Sequence, residues 1–126
     1  MIDDTPYETW VHILKALNPK LAYVHFIEPR DDLYTDTPDL VNTLDAFREA
    51  WKGVFVSAGG YSNNIDLIES VAKDTGNLIA VGRAFIANPD LVERLRRKLP
   101  LNKYDRSTFY SFGPDGYTDY PFYKEE

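Results

Sequence analysis

The chain has 126 residues, the length of one domain or of a piece of a larger one, and 44% hydrophobic residues with 14% aromatics suffice for a packed core. Twenty acidic residues against 14 basic ones give a formal net charge of −6, which argues against a nucleic-acid surface built on clustered Lys and Arg. The absence of cysteine excludes disulfides, thiolate metal sites and cysteine nucleophiles.

The opening MIDDTPYETW has neither a basic n-region nor an apolar h-region, and no apolar run approaches the ~18 residues of a membrane span, so a soluble cytoplasmic protein is expected. Thr5-Pro6-Tyr7-Glu8 reads as a capping box, with Pro6 at the first helical position. Tyr7, Trp10, Val11, Leu14 and Leu17 then form one helical stripe that Asn18-Pro19 stops. Leu21 to Ile27 is short and mostly apolar, as in a strand covered on both faces. Asp31 to Thr37 is polar loop; Thr37-Pro38-Asp39 opens a second helix with the stripe Leu40, Leu44, Phe47 and Trp51. Val54 to Ser57 is the second strand, Ala58-Gly59-Gly60-Tyr61 a turn, and a third helix runs from about Asn64 to a stop at Gly76. Leu78 to Val81 is the third strand, and Pro89 to about Leu99 the fourth helix. The basic cluster Arg94, Arg96, Arg97 and Lys98 sits at that helix's C-terminus, where cations complement the dipole, and is expected to be solvated.

Alternating helix and strand with short links predicts a parallel sheet and an α/β class. From Leu101 the rhythm breaks into Tyr104, Phe109, Tyr110, Phe112, Tyr117, Tyr120, Phe122 and Tyr123 among Pro, Gly and Asp, too aromatic for disorder. The expected division is residues 1–100 as α/β units and 101–126 as an irregular tail packed over them.

Ligands of parallel α/β structures meet the C-terminal ends of the strands. Two such ends carry Gly59-Gly60 and Gly82-Arg83. Glycine lets backbone N–H groups approach an anion, and a guanidinium adds charge and a fork that fits phosphate. The plainer alternative is a tight turn at Gly59-Gly60 and a surface cation at Arg83. Two glycine-bearing ends on successive βα units match the phosphate site described for (β/α)₈ barrels, after strands seven and eight.

The segments VHFIEPR, WKGVFVSAGGY, LIAVGRAFIANPDLVERL and LPLNKYDRSTFYSFGPDGYTDYP together resemble the C-terminal part of the old yellow enzyme family, the FMN-dependent ene-reductases, especially fungal members. The resemblance implies the C-terminal portion of a (β/α)₈ TIM barrel, about three βα units corresponding to strands six to eight, with an aromatic-rich tail. It further implies that Gly59, Gly60, Gly82 and Arg83 hold the FMN phosphate and that Tyr110 lines the substrate side of the flavin. A pocket-shaping loop aromatic of the family would fall near Leu33 to Thr35. Such enzymes take hydride from NADPH and reduce activated C=C bonds of α,β-unsaturated carbonyls, using a His/Asn or His/His pair to hold the carbonyl oxygen and a tyrosine as proton donor.

His12, in a helix, and His25, within a strand, match neither member of that pair and read as structural. No catalytic residue and no metal ligand set is assigned. The expectation is therefore a portion of an FMN oxidoreductase that binds the FMN phosphate and is inactive alone, with self-association through open strand edges. Alternatives are a non-catalytic phosphate-binding or interaction remnant of the same fold, or another FMN barrel such as a dihydroorotate dehydrogenase relative, which leaves the NKYDRSTFY tail unexplained.

Overall fold

The computed structural model describes residues 4–28 and 44–125. The expected polar loop, the helix start at Thr37-Pro38-Asp39, Leu40 and the Leu33 to Thr35 position lie outside these residues. The chain forms two compact units, Met1–Ala80 and Val81–Glu126.

In the first unit the order is α1 (Pro6–Ala16), β1 (Val24–Ile27), α2 (Asp45–Ala50), β2 (Phe55–Ala58), α3 (Asp66–Thr75) and β3 (Leu78–Ile79). The strands form one parallel sheet in the order β1-β2-β3, as the alternating pattern requires. Register pairs Val24 with Phe55 and Phe26 with Ser57, so these four side chains share one sheet face. On that face a core of Leu14, Val24, Leu44, Phe47, Trp51 and Phe55 is buried. The Phe26 ring stacks on Phe47 at 5.0 Å and on Phe55 at 5.4 Å between centroids, and Trp10 meets its edge at 5.8 Å. Burying a side chain such as Phe55 contributes roughly 1.5–3 kcal/mol.

Among the described residues the other face is largely exposed. His25, Ile27 and Leu78 are exposed, Ile27 at 69% and Leu78 at 59%. A first strand covered on both faces is therefore corrected: β1 alternates buried, exposed, half-buried, exposed, because α1 and α2 pack on one side only. Pro6 does begin α1, but Thr5 makes no side-chain cap bond and the capping box is not formed. Helix α3 starts at Asp66, two residues after the expected position, and ends as expected on Gly76, whose φ of 71° is left-handed and whose N–H donates to Ala72 O. Strand β3 is shorter than Leu78 to Val81, although the Ala80 N–H still reaches Ser57 O at 2.9 Å.

The second unit contains a helix the periodicity did not predict, α4 (Arg83–Ala87), followed by α5 (Leu91–Arg97). The expected helix from Pro89 is α5 alone, shortened at both ends, and α4 precedes it. Pro89 disfavours helical backbone at Asn88, which sits at φ −136° and ψ 87° and separates them. Beyond α5 the chain is irregular except for one 3₁₀ turn, Arg106–Thr108.

Polar bonds tie this tail to the helices. Asn88, fully buried, donates to Ala84 O at 2.8 Å and to Asn102 O at 3.2 Å, and its Oδ1 accepts from the Asn102 N–H at 2.7 Å. Asn102 donates in turn to Ala87 O at 2.8 Å and Pro121 O at 3.0 Å. Arg94 is 3% exposed, which corrects its place in a solvated basic cluster; Arg96, Arg97 and Lys98 are exposed. Its position four residues after Asp90 puts both on one helix face. Nε meets Asp90 Oδ1 at 2.6 Å, the two terminal nitrogens donate to Pro100 O at 2.9 Å and Pro121 O at 3.0 Å, and the guanidinium lies 5.8 Å from the Tyr123 ring centroid.

Candidate functional site

The strand ends were built from the sequence as the place where chemistry would sit, and in the first unit the relevant ends are those of β1 and β2. Ile27 pairs with Ala58 in the last rung, and the Glu28 N–H extends it to Ala58 O at 2.8 Å. The chain then turns through Gly59 at φ +99° and Gly60 at φ +76°, values that side chains other than glycine rarely adopt. Sterics add a second reason at Gly59, where a Cβ would stand 2.7 Å from Glu28 O. The tight-turn account of these glycines is thus physically sound, and it is compatible with anion contact, since the same backbone freedom serves both. Gly60 O accepts from the N–H groups of Asn63 at 3.1 Å and Asn64 at 3.2 Å, closing the turn.

Two side chains the sequence reading passed over bracket this turn. Ser57 and Tyr61 are each 1% exposed, and their hydroxyls are 2.9 Å apart. Glu28 is also buried, at 5% exposure, and makes polar contacts of its own. The available signal was a hydroxyl-bearing residue on each side of Gly-Gly, four positions apart.

In the second unit Gly82 is the N-cap of α4 and Arg83 its first residue; Gly82 O accepts from the N–H groups of Phe85 at 2.9 Å and Ile86 at 3.0 Å. Gly82 differs from Gly59. Its φ is −95°, and an added Cβ would meet nothing within 4 Å. Arg83 is half-buried and already has an interaction within the protein. Tyr110 is 96% exposed, with a left-handed φ of 62° and its ring edge-on to Phe109 at 6.5 Å; Phe109 itself stacks on Tyr104 at 5.7 Å. A non-glycine residue there is uncommon and marks local strain.

His12 lies in α1 and His25 in β1, as expected, and both are exposed. Among the described residues no group of three or more His, Cys, Asp or Glu could hold a metal ion, and no helix is long and apolar enough to cross a membrane.

The family model for NADH:flavin oxidoreductase / NADH oxidase matches residues 6–102. The chain belongs to that family. Its members work with FMN and take NADPH as reductant. The chain is 46% identical over 121 residues to 12-oxophytodienoate reductase 2 of Arabidopsis thaliana, covering 94% of this chain and 32% of that protein. It is 49% identical over 111 residues to a putative NADPH dehydrogenase of Schizosaccharomyces pombe, covering 85% and 28%. Among solved structures, the old yellow enzyme from Trypanosoma cruzi superposes with a TM-score of 0.84 at 32% identity, covering 98% of this chain and 32% of that one. The chain therefore spans about a third of the length of the relatives it matches, and its three-stranded parallel sheet is a portion of their TIM barrel.

Proposed function

We propose that this chain supplies FMN-phosphate-binding residues to an NADPH-dependent oxidoreductase that reduces activated C=C bonds of α,β-unsaturated carbonyls. Gly82 carries the proposal: neither its φ nor any neighbour within 4 Å calls for glycine, whereas an anion approaching the backbone closely does. Gly59 and Gly60 offer a second stretch of backbone with the same freedom, and Arg83 contributes the positive charge and the planar fork that suits phosphate. Backbone amides and a guanidinium are each donor types that suit a phosphate monoester.

FMN, when bound, supplies the hydride chemistry between NADPH and the alkene. The chain's own contribution is to hold the phosphate end, and in this proposal Tyr110 borders the substrate side. Neither His12 nor His25 stands in for a carbonyl-oxygen clamp, so the 126-residue polypeptide by itself is expected to show no NADPH-dependent enone reduction above that of free FMN. The exposed sheet face at His25, Ile27 and Leu78, together with β1 and β3 as sheet edges, favours association with other chains, the non-catalytic property this polypeptide is expected to display.

Flavin titration of the polypeptide tests the proposal. Arg83→Ala is expected to weaken FMN binding by about 1.5–3 kcal/mol, the scale of a hydrogen bond to a charged group. Unchanged affinity removes Arg83 from the site.

A further inference from the structure

We propose that Ser57 and Tyr61 are positioning residues whose mutual hydrogen bond holds the Gly59-Gly60 backbone in the shape that receives a phosphate monoester; the inference rests on the phosphate reading of that turn.

Ser57 occupies the middle strand. It pairs with Phe26 on one side and Ile79 on the other, and its carbonyl accepts from the Ala80 N–H, so its Cα is anchored from both sides. On the same sheet face two residues earlier stands Phe55. A hydroxyl buried in such a place is unfavourable unless it is paired. Alanine at 57 and phenylalanine at 61 fill nearly the same space without that liability, so packing alone does not account for two hydroxyls. What the pair does achieve is geometric. Tyr61 directly follows Gly60, its ring is buried, and its hydroxyl returns to Ser57 at 2.9 Å.

The span so fixed is Ala58, Gly59 and Gly60. Two consecutive glycines are the most permissive backbone a chain can place next to a ligand, and ordering them at the moment of binding costs conformational entropy. The Gly60 carbonyl is already held by Asn63 and Asn64, and Gly59 lies against the Glu28 backbone. The Ser57–Tyr61 bond closes the remaining side, so the amides meet the anion already arranged.

The test uses the full 126-residue chain labelled with ¹⁵N, following the Gly59 and Gly60 amides during titration with inorganic phosphate, FMN and riboflavin. Tyr61→Phe and Ser57→Ala are each expected to weaken phosphate and FMN by about 3- to 10-fold, the scale of one neutral hydrogen bond. Riboflavin affinity should not change, and the double variant should be no weaker than either single one. Retention of phosphate and FMN affinity in Tyr61→Phe, while Gly60→Ala loses it, overturns the positioning role and leaves the phosphate site standing. An equal loss for FMN and riboflavin assigns the pair to general folding and also overturns it. If neither glycine amide responds to phosphate in the unsubstituted chain, the phosphate reading fails and the inference with it.

Discussion

The two units reach order by opposite means. Met1–Ala80 relies on a patch of aromatic and aliphatic side chains pressed between two helices and one face of a sheet. Val81–Glu126 has little regular structure beyond two short helices, and polar side chains bonded to distant carbonyls hold it: Asn88 and Asn102 clasp each other, and Arg94 gathers Asp90, Pro100 and Pro121. Apolar burial tolerates some inexactness, because it is non-directional and scales with area. A polar clasp does not, because each unmet partner carries its own desolvation cost. Removing one group from each unit therefore tests different physics.

The largest loss is expected from Phe55→Ala. The ring is 1% exposed and stacked on Phe26, and such truncations cost about 3–5 kcal/mol. Urea denaturation followed by tryptophan fluorescence measures it, since Trp51 shares that core. A loss below about 1 kcal/mol would mean the aromatic patch is not what orders the first unit.

Arg94→Met comes next. It keeps bulk but removes the donors that Arg94 gives to Asp90 Oδ1, Pro100 O and Pro121 O, leaving Asp90 with the Tyr123 N–H and Pro121 O with Asn102, at a cost of about 1.5–3 kcal/mol, the scale of hydrogen bonds to a charged group. Hydrogen exchange at the Tyr123 amide, which donates to Asp90 Oδ2 at 2.7 Å, is the local probe. Arg94→Lys is not expected to rescue, because one ammonium cannot match three separate directions. Rescue by lysine would reduce the clasp to simple charge.

Acid should loosen the same unit more gently. Desolvation raises the Asp90 pKa, but hydrogen bonds from the Tyr123 N–H and from Arg94 outweigh it and leave the carboxyl below its ordinary 3.8. Asp105 is lowered as well, by the Ser107 hydroxyl and N–H. Groups depressed in the folded state stabilise it fully above their unfolded pKa and lose that contribution as pH falls through the folded value. Tail order, read from the Tyr123 amide, is thus expected to be flat above pH 3.8 and to decline below it. The decline should flatten in Asp90→Asn relative to its own starting point.

The smallest effect on folding is expected at the exposed face. Ile27→Lys changes an exposed side chain, so stability should move by no more than about 0.5 kcal/mol. Sedimentation should nonetheless show weaker concentration-dependent association than the unsubstituted chain, since a charge on an edge strand opposes pairing. A concentration-independent monomer without the substitution breaks the expectation that this face is adhesive.

Much of the first unit was legible in the residues. Leu14, Phe47 and Trp51 stood on helical stripes, Pro6 and Gly76 marked a start and a stop, and alternation demanded parallel strands; each is a local or periodic signal. The exposure of β1's second face was not legible, because an apolar run states what a strand can bury, whereas cover depends on which elements surround it. In the second unit Asn88-Pro89 does lead into a helix, α5, but the short α4 before it carried no periodic signal. Arg94 looked like one of four surface cations until its partners were placed.

Of the candidate site, Gly59, Gly60, Gly82 and Arg83 were chosen from residue type and position after strands, and the two glycines of the first turn do hold left-handed backbone. By itself the sequence determined the α/β alternation, the glycine-bearing strand ends and the family, because these are written in short motifs and in repeats of two and 3.6 residues. Only the tertiary structure decided that Ser57 and Tyr61 face each other, that Asn88 meets a residue 14 positions away and Arg94 one 27 away. Directional polar contacts become definite only when the backbone has fixed both partners, and no local pattern records that distance.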